Sequence, residues 1–138
     1  MFFIVVTFLS CATSKAVISN SVELLEYKYV VFGEKSTGDR ELDDIVLQVQ
    51  NEISNNLKVV SSQEGLKLIQ EGFSVLTPNI HVTTEKWEGG HTYISINFYD
   101  YNTNQSVVVV KSSGIGLTIQ HDQKIALKAI SKKLSEVF

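Results

Sequence analysis

Few side chains in this sequence have the type and spacing that chemistry needs. Three histidines, His81, His91 and His121, are the obvious candidate metal ligands. No two of them stand four apart as a helical zinc pair does, the chain has a single cysteine, and no carboxylate sits at a fixed offset from them. His81 and His91 could meet across a hairpin; exposed strand residues are the plainer reading. Gly114-Ile115-Gly116 precedes a helical stretch as a phosphate loop does, but it lacks the third glycine of a dinucleotide fingerprint and the Gly-Lys-Ser/Thr of a P-loop. Backbone geometry at a strand exit explains it better. No serine stands in a Gly-x-Ser-x-Gly or Ser-x-x-Lys setting, and Asp43-Asp44 opens a helix, where carboxylates complement the dipole without doing acid–base work. No catalytic residue, metal site or cofactor is expected.

Two other features point to binding. Trp87, between Lys86 and Glu88 and beside Gly89-Gly90, falls at a hairpin tip, where it can anchor a partner or fold back onto the sheet. Tyr93 and Tyr99, on the polar face of the following strand, extend the same surface. Cys11 ends an apolar run that is too short to span a bilayer, which takes about 20 residues, and a small residue, Ser10, precedes it. Phe8-Leu9-Ser10-Cys11 resembles a bacterial lipobox, in which the peptide is cut before the cysteine, the thiol takes diacylglycerol and the new α-amine is commonly acylated. That resemblance implies residues 1–10 as a signal peptide, Cys11 as the membrane contact, and 11–24 as lipidated cysteine and tether. Ala12, in place of the Asp that favours inner-membrane retention, implies the outer membrane, facing the periplasm. Two or more acyl chains hold a protein stably where one does so marginally. The competing reading is a cytosolic protein with a buried N-terminal strand MFFIVVTFL and an inert Cys11.

With 138 residues, 43% of them hydrophobic and 20% charged, the chain is long enough for one domain with its own core. A net charge of −3 and a single arginine argue against a nucleic-acid partner. Residues 21–56 are acidic while 119–138 carry four lysines against two acids. That asymmetry fits acids at the start of one helix and lysines in the last turns of another, or a basic face for an acidic partner.

The elements that must position these residues follow from periodicity. A strand is expected over 26–33, ending at Gly33. A helix follows, with Leu42, Ile45, Val46, Val49, Ile53 and Leu57 on one face. Lys58-Val59-Val60 reads as a short strand, and Ser61 with Glu64 as a capping box for a second helix closed by Gly72. Alternation from Ile80 to Thr84 and from Tyr93 to Tyr99 gives a hairpin. A turn over 100–105 leads to the strand at Ser106–Lys111, and Ala126, Ala129, Ile130, Leu134 and Phe138 mark a last helix.

The order is β-α-β-α-β-β-β-α: a single α+β domain over 25–138, with a mixed sheet and helices packed on one face. The run from Tyr93 to Val107 resembles the strand, Asp, Thr-containing turn, strand pattern of small bacterial envelope lipoproteins of unknown function, whose architecture is similar to the TolB N-terminal domain and to LpoB. The resemblance implies a non-enzymatic, lipid-anchored periplasmic protein that binds another envelope protein. The alternatives are a small-ligand-binding module and, behind it, a hydrolase.

Overall fold

A computed structural model describes residues 11–18, 24–33, 40–85, 91–116 and 118–138. Strands β1 (Cys11–Ile18), β2 (Tyr27–Val30), β3 (Lys58–Val59), β4 (Ser74–Thr84), β5 (Thr92–Asp100) and β6 (Ser106–Ile115) form one sheet in the order β1-β6-β5-β4-β2-β3. Pairing is antiparallel from β1 through β4 and parallel from β4 through β2 to β3. The helices are α1 (Arg40–Ser54), α2 (Ser62–Gln70) and α3 (Ile119–Val137). The α+β class, the mixed sheet and the order of elements from β2 to α3 are as expected.

Helix α1 buries Ile45, Val49 and Ile53, one face at spacings of four, against α3 and β4. Helix α3 turns Ala126, Ile130 and Leu134 inward over β5 and β6, onto Ile94, Ile96, Phe98, Val108 and Val110. Phe138 closes that core edge-on against Phe98, ring centroids 5.1 Å apart at 74°, a geometry that contributes about 1 kcal/mol beyond area burial.

The expectation of helices on one face holds for these two. Helix α2 lies on the other, where Leu68 and Ile69 pack on Val31, Val60 and Val75, while Leu76, the next residue of β4, faces α1 and α3. The reason is topological. The crossover from β2 through α1 to β3 runs outward along the sheet, and that from β3 through α2 to β4 runs back across β2. Both can be right-handed only if their helices take opposite faces.

The caps are local chemistry. Ser61 Oγ accepts from Glu64 N at 3.1 Å to start α2. At its other end Gly72 N donates to Ile69 O and Phe73 N to Leu68 O, with Gly72 in the left-handed region at φ 91°. This is the Schellman arrangement that glycine makes cheap. Thr118 caps α3 by accepting from His121 N.

Two elements depart from expectation. Residues 11–18, expected as part of a tether, form β1, an edge strand paired along its whole length with β6, Cys11 opposite Ile115 and Ile18 opposite Val108. And β4 begins at Ser74, so that Pro78 stands inside it. Backbone bonds of Glu85 with His91 and of Tyr101 with Val75 put the odd-numbered residues of β4 in bonded pairs with β5. Pro78 therefore points its nitrogen away from β5, on the side of β2, which pairs no further than Leu76. No ladder bond is lost there.

Candidate binding surface

Alternation along four paired strands builds a face that, among the described residues, no helix covers beyond the end where α2 packs on Val75. Opposite the side that α1 and α3 pack on, β1 contributes Thr13, Lys15 and Val17, and β6 Val109, Lys111 and Ser113. Tyr93, Ser95, Asn97 and Tyr99 come from β5, and Thr77, Asn79, His81 and Thr83 from β4. None of these fourteen positions is an acid, although the chain carries net charge −3. Midway along β1 Lys15 stands directly opposite Lys111, and His81 lies in the same cross-strand row through Ser95. Lys15, Lys111 and His81 are all exposed.

The face is ordered by its own hydrogen bonds. Asn97 Nδ2 donates to Tyr99 Oη at 3.0 Å and Asn97 Oδ1 accepts from Ser106 Oγ at 2.7 Å. The hydroxyls of Thr13 and Ser113 meet at 2.5 Å, tying β1 to β6. Tyr93 is 43% exposed and stacks on His91, ring centroids 5.4 Å apart at 18°. His91 Nδ1 in turn stands 3.5 Å from Glu85 Oε1.

Tyr93 and Tyr99 thus share a face as expected, but they occupy opposite ends of it, six residues and roughly 20 Å apart. They bound the surface and do not converge on one point. Trp87 lies outside the described residues. Cys11 is the first residue of β1. His81 and His91 do not meet, because His81 pairs with Ser95 while His91 is bonded across to Glu85. Among the described residues no three of His, Cys, Asp and Glu are grouped to hold a metal ion, and no helix is long and apolar enough to cross a membrane.

Polar groups with catalytic potential have structural partners. Asp122, 2% exposed, accepts from Gly116 N. Ser112 Oγ donates to Ala126 O at 2.9 Å. Gly114-Ile115-Gly116 is a close-packing device: a Cβ on Gly114 would meet the backbone of α3 at Asp122 O and Ala126 N, and one on Gly116 the His121 ring. Asp100 Oδ1 accepts from Asn102 N and Thr103 N at 2.8 and 2.9 Å, and Oδ2 from Tyr27 Oη at 2.7 Å. Burial pushes this carboxyl up, yet the hydrogen bonds from Thr103, Tyr27 and Asn102 together outweigh it and hold it below its ordinary value. Tyr27 is pushed well above the usual phenol range, first by burial and then by its bond to Asp100, so it stays protonated and serves as a strut.

Sequence reasoning missed a groove on the other side of the sheet. A groove of about 560 Å³ opens between β1 and α3, with Ala12, Thr13 and Ser14 on one side and Lys124, Lys128 and Lys132 on the other. The last turn of α3 holds no basic residue, so these lysines do not serve the helix dipole as expected; they line the groove. Their spacing of four was visible in the sequence. The strand facing them was not, because CATSKAVI alternates small residues with polar ones and has nothing bulky before Val17.

No protein-family model and no curated protein matches the sequence. Solved structures do match in fold. PelC from Paraburkholderia phytofirmans, a dodecamer, superposes with a TM-score of 0.53 at 12% identity, over 92% of this chain and 97% of that one. The fold is shared with PelC. A point variant of the same PelC dodecamer gives 0.54 at 14% identity, over 92% and 98%. A PDZ domain protein from Parabacteroides distasonis gives 0.52 at 10% identity, over 90% of this chain and 36% of that one. At such identities the likeness to PelC and to the PDZ domain protein is one of fold alone. None of the three is a TolB or LpoB chain, so that resemblance rests on the sequence pattern.

Proposed function

We propose that this chain is a non-enzymatic, lipid-anchored protein of the bacterial cell envelope, held at the periplasmic side of the outer membrane through Cys11, and that the open face of β1, β6, β5 and β4 binds an acidic surface on another envelope protein. The observation that carries the binding is Lys15 opposite Lys111 on a face whose fourteen strand positions include no acid. Like charges directly opposite on paired strands destabilise a sheet, and a local arrangement that costs stability points to a role outside folding. Exposed Tyr93 and Val17 add apolar contact at the two ends of the same face. The anchor is supported by the lipobox pattern and the solitary cysteine. Support for a non-enzymatic role comes from Asp100, Asp122 and Ser112, each held by structural hydrogen bonds.

PelC chains of this fold are described as dodecamers, which makes a second copy of this chain a partner to test beside a different envelope protein. A photo-crosslinking residue placed at Tyr93, in cells, is expected to give a discrete adduct that the same residue at Leu47, exposed on α1, does not give. Mass spectrometry of the adduct separates a copy of this chain from a foreign protein. Absence of any adduct from position 93, or identical adducts from both positions, overturns the open-face assignment. Metabolic labelling with a clickable fatty acid tests the anchor separately: label is expected on the natural chain and none on Cys11→Ser, and an unlabelled natural chain overturns it.

A further inference from the structure

The groove between β1 and α3 lies on the opposite side of the sheet from the open face and has its own chemistry. Lys124, Lys128 and Lys132 stand one turn apart along its helical wall, over about 12 Å of helix. All three are exposed, and among the described residues none is in an ion pair. Facing them from β1 are Ala12 and Ser14, which bring no charge and little bulk, while Thr13 between them turns its hydroxyl to Ser113 on the open face. Ile125 and Ala129 supply an apolar strip beside the lysines. The groove takes in no carboxylate.

Its position is set by the register. Cys11 pairs with Ile115 at the end of β6, from which the chain turns into α3, so α3 sets out from the Cys11 end of β1. The residues that line the strand side of the groove are the three that directly follow Cys11.

We infer that this groove is a docking surface for the headgroups of an anionic phospholipid bilayer, the same bilayer that holds the acyl chains. This rests on the reading of Cys11 as a lipid attachment point. Three extended residues span roughly 10 Å, close to the distance over which surface charge is felt at physiological salt, about 8 Å. An anchor at Cys11 therefore brings the lysine wall within reach of the lipid phosphates. The attraction fixes the orientation of the domain, turning the β1 edge to the membrane.

The test is vesicle pelleting of the full-length Cys11→Ser protein, which lacks the thiol and so separates headgroup binding from lipidation. Vesicles of phosphatidylcholine alone are compared with equimolar phosphatidylcholine and phosphatidylglycerol; any apolar partitioning of residues 1–10 is common to both. The expected result is a preference for the phosphatidylglycerol vesicles that fades as salt is raised. In the combined Lys124→Gln, Lys128→Gln, Lys132→Gln variant the preference is lost, a drop on the order of a hundredfold if each lysine near the surface contributes its usual share. Glutamine is a good helix former, and an unchanged melting curve confirms that the variant folds. Equal pelleting on both vesicle types overturns the inference, as does a preference that the triple variant retains. A variant that keeps the lipid preference but loses self-association in light scattering assigns the groove to a second copy instead. The failure of Cys11 lipidation would appear in fatty-acid labelling and leaves these readings untouched.

Discussion

The Tyr27 hydroxyl donates to Asp100 Oδ2 at 2.7 Å across 73 positions of sequence, fastening the first residue of β2 to the last residue of β5. Asp100 also accepts the two amides of the following turn, so one carboxylate closes the β5–β6 connection and locks it to a strand on the far side of β4. Tyr27→Phe removes one donor and leaves the ring packing in place. A hydrogen bond to a charged group that is only partly buried contributes about 1.5 kcal/mol, so a drop of roughly 5 °C in Tm is expected by calorimetry. A variant as stable as the natural chain would show the contact to be idle.

The same carboxylate gives the fold an acid dependence whose sign is fixed. Asp100 is held below its ordinary value in the folded chain, so as pH falls the unfolded chain takes up this proton first. Its stabilising effect is complete above about pH 4 and is lost as pH drops through the lowered folded value. Asp100→Asn should therefore be less stable than the natural chain at pH 7, with the gap narrowing by pH 3. Urea unfolding of both proteins at the two pH values measures it, and a gap independent of pH would assign the effect to geometry alone.

Helix α3 can sit where it does only because the penultimate residue of β6 is glycine. A methyl group on Gly114 would stand 2.6 Å from Ala126 N and 2.9 Å from Ile125 Cβ, and neither moves without shifting the helix. Gly114→Ala is expected to cost about 3 kcal/mol, at the upper end for overpacking. At Gly33 nothing lies within 4 Å of an added Cβ, so Gly33→Ala should change stability by less than about 0.5 kcal/mol. Denaturant midpoints for the pair decide it.

These relationships mark where the sequence could be read and where it could not. Helix α1 was legible because Leu42, Ile45, Val46, Val49 and Ile53 repeat at three and four. The β4–β5 hairpin was legible because Ile80, Val82, Ile94, Ile96 and Phe98 alternate cleanly. Strand β1 was not: before Ile18 its inward residues are Ala12, Ser14 and Ala16, and Ala12 and Ser14 look onto the groove beside α3, where no large side chain is called for. The face taken by α2 was illegible from local pattern, since it follows from the direction of two crossovers.

The binding surfaces divide in the same way. Tyr93 and Tyr99 announce a polar strand face by alternation alone. The confrontation of Lys15 with Lys111, like the groove that joins Ala12 to Lys124, exists only once β1 is known to pair with β6. Residues 96 positions apart carry no periodic signal of their contact.

That confrontation yields the sharpest test of the open face. Lys15 and Lys111 are ladder partners, and side chains directly opposite on antiparallel strands lie about 5 Å apart at Cβ, where like charges repel and opposite charges attract. Lys15→Glu should therefore stabilise the isolated domain by about 0.5 kcal/mol, with a gain that shrinks as salt screens the pair. If the face exists to meet an acidic partner, the same substitution must weaken the crosslink formed from position 93, because it places a carboxylate beside Lys111, among strand positions that otherwise carry none. Stability and binding then move in opposite directions in one variant. A Lys15→Glu protein that is more stable and crosslinks as well as before would show the lysine pair to be incidental to recognition, and one that loses both would show that β1 had been disrupted.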